Sequence, residues 1–248
     1  LRMGSLYEND EKAGLAALMQ KTVLKGTKTR NSEQIAETLE SMGTRISSSA
    51  DREFGAITLQ STSESIYSSL EILYDILRNA TFPQDAVDLQ KNLQIREIRS
   101  RRDQPLYRAI ELMVEAEYGA HPFHKPAMGY PETVEKLTRD DLVKSYSAVY
   151  APNNMVISAV GNFDEKALIM DISNAMGVLP QGQPLQRIPG EIPSHKAPVE
   201  KIESRETAAS WFAIGWFSPR LTDPDYYAME VLDSITGGSM NSRLFVAI

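Results

Sequence analysis

Apolar residues recur along this chain at the spacing of amphipathic helices. Leu15, Leu18, Met19 and Val23 fall on one helical face and predict a helix that ends at Gly26. Capping residues and the same periodicity predict further helices at about 32–42, 66–80, 84–102, 105–118, 142–150, 164–176 and 223–235.

Shorter apolar or alternating runs predict β-strands. They lie at about 44–50, 53–63, 154–161 and 210–217. Helices and strands do not alternate in a regular strand–helix–strand order, so a parallel sheet is not expected. The pattern predicts an α+β fold in which a mostly antiparallel sheet is covered by helices.

Prolines mark a boundary in the second half of the chain. Pro180, Pro184, Pro189, Pro193 and Pro198 stand close together, and the whole chain has 13 prolines. Proline at this spacing favours extended backbone and blocks helix formation. We therefore predict a first domain over residues 1–179, a linker over 180–200, and the start of a second domain over 201–248.

Composition and charge remove several classes of function. The 248 residues carry a formal charge of −7, which gives no electrostatic footprint for nucleic acid. No apolar run approaches the ~20 residues of a membrane-spanning helix. The chain has no cysteine, which excludes disulfides, cysteine–zinc sites and thiol nucleophiles.

The three histidines offer little chemistry of their own. His121 and His124 stand three residues apart in a proline-containing loop, where they are either an incomplete metal site or plain surface residues. His195 lies in the predicted linker and is expected to be solvated. No phosphate-binding loop, dinucleotide-binding motif or nucleophile elbow is present.

The segment GLAALMQKTVLKGT carries the most specific signal. Gly14, Ala16, Lys25, Gly26 and Thr27 match the pattern around the inverted zinc motif H-x-x-E-H. The segment resembles the zinc-binding helix of the insulinase/pitrilysin family of metallopeptidases, here at about 11–25. The resemblance implies the fold of a zinc-dependent metalloendopeptidase.

The three chemical positions of that motif have changed in this chain. The resemblance places the two zinc-ligand histidines on Ala17 and Lys21, and the general-base glutamate on Gln20. Alanine has no donor atom, an amide is not a useful proton acceptor, and a protonated lysine has no lone pair for a cation. We predict no catalytic residue and no zinc in this chain.

Glu97 is the one family ligand position that keeps its residue type. It stands 76 residues after Lys21, where the family has its third zinc ligand, whereas Gln90 replaces a further family glutamate. One interpretation is an exposed helix residue beside Arg96 and Arg99. The preferred hypothesis is that Lys21 donates to Glu97 and takes the place of zinc as the local cation.

The resemblance continues through most of the chain. Further segments that are similar to family motifs lie at 31–43, 118–122, 137–154, 161–164, 223–227 and 237–245. Family members have two or four related α+β domains around a substrate chamber. The resemblance therefore implies that the domain is duplicated in the full-length protein, of which we expect this chain to be a part.

The resemblance also suggests where a peptide would bind. Family members bind peptides by adding a strand to a sheet edge beside the zinc helix. The corresponding residues here are Ile46, Ser47, Ser48, Ser49 and Ala50. Backbone pairing needs no particular side chain, so peptide contact is one reading, and a short solvated edge strand is the other.

These observations favour a non-catalytic homologue or subunit of the family. Its partners would be a catalytic family subunit or a second copy of itself, and a peptide or unfolded protein segment to be positioned for proteolysis. No nucleic acid, membrane span or cofactor is expected, although active members use zinc. We expect a bacterial protein, and the sequence favours neither cytoplasm nor periplasm.

Two other functions stay open. The chain could be a structural subunit whose interface includes Trp211, Phe212, Trp216 and Phe217. It could also be an active zinc peptidase with unusual ligands, for which Glu97 and one loop histidine are the candidates.

Overall fold

The computed structural model describes residues 1–183, 185–206 and 208–247. Pro184, one of the five linker prolines, lies outside the described residues. The helices and strands are α1 Leu15–Val23, α2 Ser32–Ser41, β1 Arg45–Ala50, β2 Gly55–Gln60, α3 Ile66–Asn79, α4 Gln84–Asp103, α5 Pro105–Tyr118, α6 Pro131–Lys136, α7 Arg139–Val149, α8 Glu165–Gly177, α9 Tyr226–Thr236 and α10 Arg243–Ala247.

The chain divides into two units, residues 1–212 and 213–248. In the first unit, α1 packs against α4, α7 and β1. Its residues Leu18, Met19 and Val23 are completely buried, as their helical spacing predicted. Burial of each such side chain contributes about 1.5–3 kcal/mol, so α1 is the centre of the core.

Strands β1 and β2 form an antiparallel hairpin. The register runs from Arg45 opposite Gln60 to Ala50 opposite Gly55. Gly55 exchanges two backbone hydrogen bonds with Leu1, at 3.0 and 3.1 Å, so its N–H and C=O point away from β1. The α+β fold with a small antiparallel sheet confirms the predicted fold class.

Side-chain caps fix the starts of three helices. Asn31 and Gln34 form a reciprocal capping box at the start of α2. Thr138 and Asp141 form another at the start of α7, and the Asp164 side chain accepts from the backbone of α8. The interruption predicted at Pro105 separates α4 from α5. Helix α6 was not predicted from the sequence.

Two predicted strands are wrong. Segments 154–161 and 210–217 form no strand in the structure. A strand needs a neighbouring strand that satisfies its backbone N–H and C=O groups, and the sheet of the described residues is made of β1 and β2. Val156 and Val160 are 90% and 97% exposed, so these apolar side chains are not buried by the described residues, as a core strand would require.

The second unit contains α9 and α10. The backbone N–H groups of Gly237 and Gly238 both donate to the carbonyl of Asp233 at 2.9 Å and end α9. No side chain of α9 is buried. Among the described residues, no helix is long and apolar enough to cross a membrane. The domain boundaries at 179 and 200 stay a prediction.

Candidate functional site

The N-terminus of α1 is fixed by a buried carboxylate. Both oxygens of Glu8 accept backbone N–H groups, from Gly14 at 2.9 Å and from Ala16 at 2.5 Å. Burial raises the pKa of Glu8 to about 7, although the two N–H donors and the charge of Lys125 act in the opposite direction. This carboxylate sets the position from which α1 presents its candidate site residues.

Lys125 holds the chain next to Glu8. Its ammonium donates to the backbone carbonyl of Glu8 at 2.5 Å and to the carboxylate of Asp10 at 3.1 Å, while its side chain is 1% exposed. A buried cation of this kind needs such partners, since an unpaired charge in the core is costly.

Ala17 and Gln20 are both buried on α1. The side-chain amide of Gln20 donates to the carbonyl of Ser49 at 3.2 Å and to that of Ala56 at 3.5 Å. Its oxygen accepts from the hydroxyl of Tyr150, whose pKa is raised by burial. Gln20 therefore ties α1 to both strands of the hairpin, a role that the sequence did not reveal.

Ser48 adds a second connection between α1 and β1. Its hydroxyl donates to the backbone carbonyl of Gln20 at 2.5 Å. Because Lys21 follows Gln20 directly, this bond brings the helix segment of the candidate site against the middle of β1.

Lys21 and Glu97 form the ion pair that the sequence suggested. The Nζ atom of Lys21 lies 2.8 Å from Oε2 of Glu97. Arg101, one turn further along α4, lies 2.8 Å from the other oxygen, Oε1. The hydrogen bond and charge of Lys21, together with Arg101, hold the pKa of Glu97 below its ordinary value. Arg101 is the arginine that pairs with Glu97, rather than Arg96 or Arg99.

Gln94 connects α4 to the start of α1. Its amide donates to the carbonyl of Gly14 at 3.1 Å and to that of Met128 at 2.9 Å, and it is fully buried. This contact sets the distance between α1 and α4, and so between Lys21 and Glu97. Sequence reasoning missed it because a glutamine inside a charged helix carries no specific signal.

The candidate peptide strand has a free edge. The N–H and C=O groups of Gly55 point away from β1, and Ala50 is its partner in the register. Because these groups alternate in direction along a strand, those of Ala50, Ser48 and Ile46 point away from β2. Within the described residues, no strand and no hydrogen bond uses those groups. The side chains of Ser47 and Ser49 are exposed, and those of the other three are partly buried. The edge has the geometry to accept an additional strand.

The histidines lie together in their loop and bond locally. The ring of His121 accepts from the N–H of Phe123 at 3.2 Å, and Nδ1 of His124 lies 2.9 Å from the carbonyl of His121. His195 is exposed and bonds the carbonyl of Glu117 at 2.8 Å. In the part of the chain that the structure describes, no three His, Asp or Glu side chains are grouped to hold a metal ion.

Comparison with family models decides the relationship. The model of insulinase (peptidase family M16) matches residues 1–130, and the model of the peptidase M16 inactive domain matches residues 136–248. This chain belongs to peptidase family M16. The resemblance suggested by the α1 segment is therefore confirmed.

Family M16 relatives align along almost the whole chain. An uncharacterized zinc protease of Rickettsia bellii is 27% identical over 98% of this chain and 58% of the relative. The uncharacterized zinc protease YmxG of Bacillus subtilis is 27% identical over the same shares, 98% and 58%. The chain thus spans little more than half of the length of these M16 relatives.

Solved structures support the M16 fold. A protease from Helicobacter pylori superposes with a TM-score of 0.85 at 18% identity, over 99% of this chain and 60% of that one. The peptidase M16 inactive domain from Pseudomonas fluorescens gives 0.78 at 21% identity, over 98% and 60%. At this identity the likeness concerns the fold alone.

The side chains at the positions that the resemblance assigns to the zinc ligands do not fit a zinc ion. Ala17 offers no donor atom, and Lys21 as an ammonium has no lone pair to give. Glu97 is the remaining ligand type, and both of its oxygens are already paired with cations. The cluster of Lys21, Glu97 and Arg101 can bind polar groups by charge and hydrogen bonding. The amide of Gln20 does not supply a proton acceptor beside it.

Proposed function

We propose that this chain is a non-catalytic member of family M16 that binds peptide segments along β1 and positions them for a catalytic family subunit. The ion pair between Lys21 and Glu97 supports the proposal, because in it a lysine occupies a position that the resemblance assigns to a zinc ligand and pairs with the glutamate assigned to another. The amide of Gln20 supports it, since this side chain is used to join α1 to the hairpin.

Peptide binding in this proposal rests on the free edge of β1. The outward N–H and C=O groups of Ile46, Ser48 and Ala50 repeat at every second residue. An extended peptide can pair with them by backbone hydrogen bonds, as in other strand-addition complexes. Such binding tolerates many sequences, as a positioning subunit would require.

The experiment uses extended peptides with methylated backbone nitrogens. Two versions of one fluorescent peptide carry N-methyl groups, at alternate positions in the first and at every position in the second. Strand addition predicts that the fully methylated version loses affinity by about tenfold or more, because each lost hydrogen bond costs about 0.5–1.5 kcal/mol, and that the alternately methylated version, which can turn its unmethylated side to β1, binds like the parent. Mass spectrometry should find every peptide uncleaved.

Other outcomes would contradict the proposal. Equal binding of both methylated versions would remove strand addition, and no binding of the parent peptide would remove peptide positioning. Cleavage that a chelator abolishes would favour an active peptidase with other ligands. The subunit role is tested separately by mixing this chain with a catalytic M16 chain. The two should form a complex in sedimentation analysis, and the kcat/KM of the catalytic chain should rise. An unchanged sedimentation profile and an unchanged kcat/KM would contradict pairing.

A second candidate function is a structural subunit of a larger assembly. The observation in its favour is the exposure of Trp211, Phe212 and Trp216, which are 53%, 78% and 69% exposed. Large exposed aromatic side chains are typical of interaction surfaces. A stable assembly that forms without any peptide binding would favour this function over the first.

A further inference from the structure

The ion cluster at the candidate site has more positive than negative charge. Glu97 accepts from Lys21 on one oxygen and from Arg101 on the other, so two cations share one carboxylate. The three side chains are 30%, 54% and 42% exposed for Lys21, Arg101 and Glu97, so solvent and ligands can reach them. The cluster therefore has a net charge of one positive unit.

The end of α4 extends this positive character. Arg96 and Arg99 are exposed on the same two turns of α4, on other faces of the helix than Glu97, and neither forms an ion pair with any described residue. The chain as a whole carries a charge of −7, so this region is opposite in sign to the rest of the protein. A local reversal of charge beside a binding edge attracts anionic groups.

Lys21 keeps hydrogen-bonding capacity. An ammonium has three N–H donors, and Glu97 is its hydrogen-bond partner among the described residues. The bond from Ser48 to the carbonyl of Gln20 places the neighbouring Lys21 beside β1. The lysine that carries the remaining donors therefore follows a residue whose backbone carbonyl contacts β1, the strand along which a peptide would lie.

We propose that Lys21, with Arg101 and Glu97, forms a receiving site for a carboxylate of the bound peptide. This inference rests on the proposed binding of peptide along β1 and names the class of peptide that this edge prefers. The carboxylate is either the C-terminus of the peptide or an aspartate or glutamate side chain, since both present the same pair of acceptor oxygens. A charge-assisted hydrogen bond from an ammonium to a carboxylate is stronger than one to a neutral carbonyl.

The test compares four versions of one unstructured fluorescent peptide. The first has a free C-terminal carboxylate, the second a C-terminal amide, and the third and fourth are amides with one internal Glu or Gln. Wild-type protein should bind a carboxylate version about fivefold to tenfold more tightly than its neutral counterpart, and added salt should reduce the difference. Preference within the first pair identifies the C-terminus, and preference within the second identifies a side chain.

Variants of the protein separate the site from general charge. Lys21→Met should abolish the preference, whereas Lys25→Met, a lysine just beyond the end of the same helix, should leave it unchanged. Glu97→Gln should increase it by about threefold, because the competing carboxylate is removed. A purely structural role for the cluster predicts weaker binding in that variant, and circular dichroism checks that each variant is folded.

The outcomes distinguish this inference from the proposed function. Equal affinity for all four peptides, or a preference that survives in Lys21→Met, would overturn the carboxylate site and leave strand addition intact. Absence of binding by every peptide would overturn both.

Discussion

Replacing Gln20 by glutamate would introduce the proton acceptor that the resemblance assigns to this position in active family members, but it would also place a carboxylate among backbone carbonyls. The amide nitrogen donates to Ser49 at 3.2 Å and to Ala56 at 3.5 Å, and a carboxylate oxygen cannot donate to either. Gln20 is 1% exposed, so solvent cannot replace the lost bonds. The hydroxyl of Tyr150 still donates to the other oxygen and offsets part of the loss.

The magnitude follows from these contacts. Loss of the two amide hydrogen bonds costs about 1–2 kcal/mol, and the buried charge adds about 1–2 kcal/mol after the contribution of Tyr150. We expect Gln20→Glu to lower the free energy of unfolding by about 2–4 kcal/mol at neutral to basic pH. Burial raises the pKa of the introduced carboxyl, so the folded protein holds a proton longer than the unfolded chain. The penalty is therefore small at acidic pH and grows as the pH rises.

Urea denaturation at about pH 5 and about pH 8 measures this effect. The matched control is Gln60→Glu, at the exposed end of β2, which should change the free energy of unfolding by less than about 0.5 kcal/mol. Wild-type stability in Gln20→Glu at basic pH would refute the assigned role of the amide. An equal loss at both pH values would refute the charge argument.

Three further predictions concern side chains and close contacts that stabilise the fold. Burial raises the pKa of Glu8 from 4.5 to about 7, so the folded state binds a proton more tightly than the unfolded chain, and the free energy of unfolding should fall as the pH rises through that range. Glu8→Gln should remove this part of the pH dependence. An unchanged slope of the free energy of unfolding against pH in the variant would contradict it. A methyl group at Gly55 would lie 2.2 Å from the sulfur of Met3, so Gly55→Ala should lower the free energy of unfolding by about 1–3 kcal/mol, and an unchanged urea midpoint would count against it. Burial alone would raise the pKa of Asp75, but hydrogen bonds from two threonines, an asparagine and an arginine lower it below 3.8. Asp75→Asn should therefore cost about 2–3 kcal/mol near neutral pH and less as the pH falls below that value, which thermal unfolding across pH would detect; a loss that does not depend on pH would contradict the charged role.

The sequence predicted the parts of the site that depend on local spacing. Lys21 and Glu97 could be paired because each lies on a helix whose periodicity is clear, and because the spacing of 76 residues matches the family motif. The same periodicity predicted the buried face of α1. The edge position of β1 followed from the resemblance to the family.

Other parts depend on contacts that no local pattern contains. The side-chain hydrogen bonds of Gln20 are made with the hydroxyl of Tyr150, 130 residues away, and with two backbone carbonyl groups of the hairpin. The strand predicted at 154–161 is wrong for a related reason, because a short apolar run forms a strand only when a neighbouring strand is present. Tertiary partners, rather than propensity, decided both cases.

We infer that Lys21 takes the place of a metal as the cation beside Glu97, and this inference can be examined by calorimetric titration with zinc. Wild-type protein should show no zinc binding at this site, whereas Ala17→His/Lys21→His should bind one zinc ion tightly, because two imidazoles would then join the Oε2 atom of Glu97, which Lys21 no longer occupies. One zinc ion bound by the wild-type chain and lost in Glu97→Gln would contradict the account.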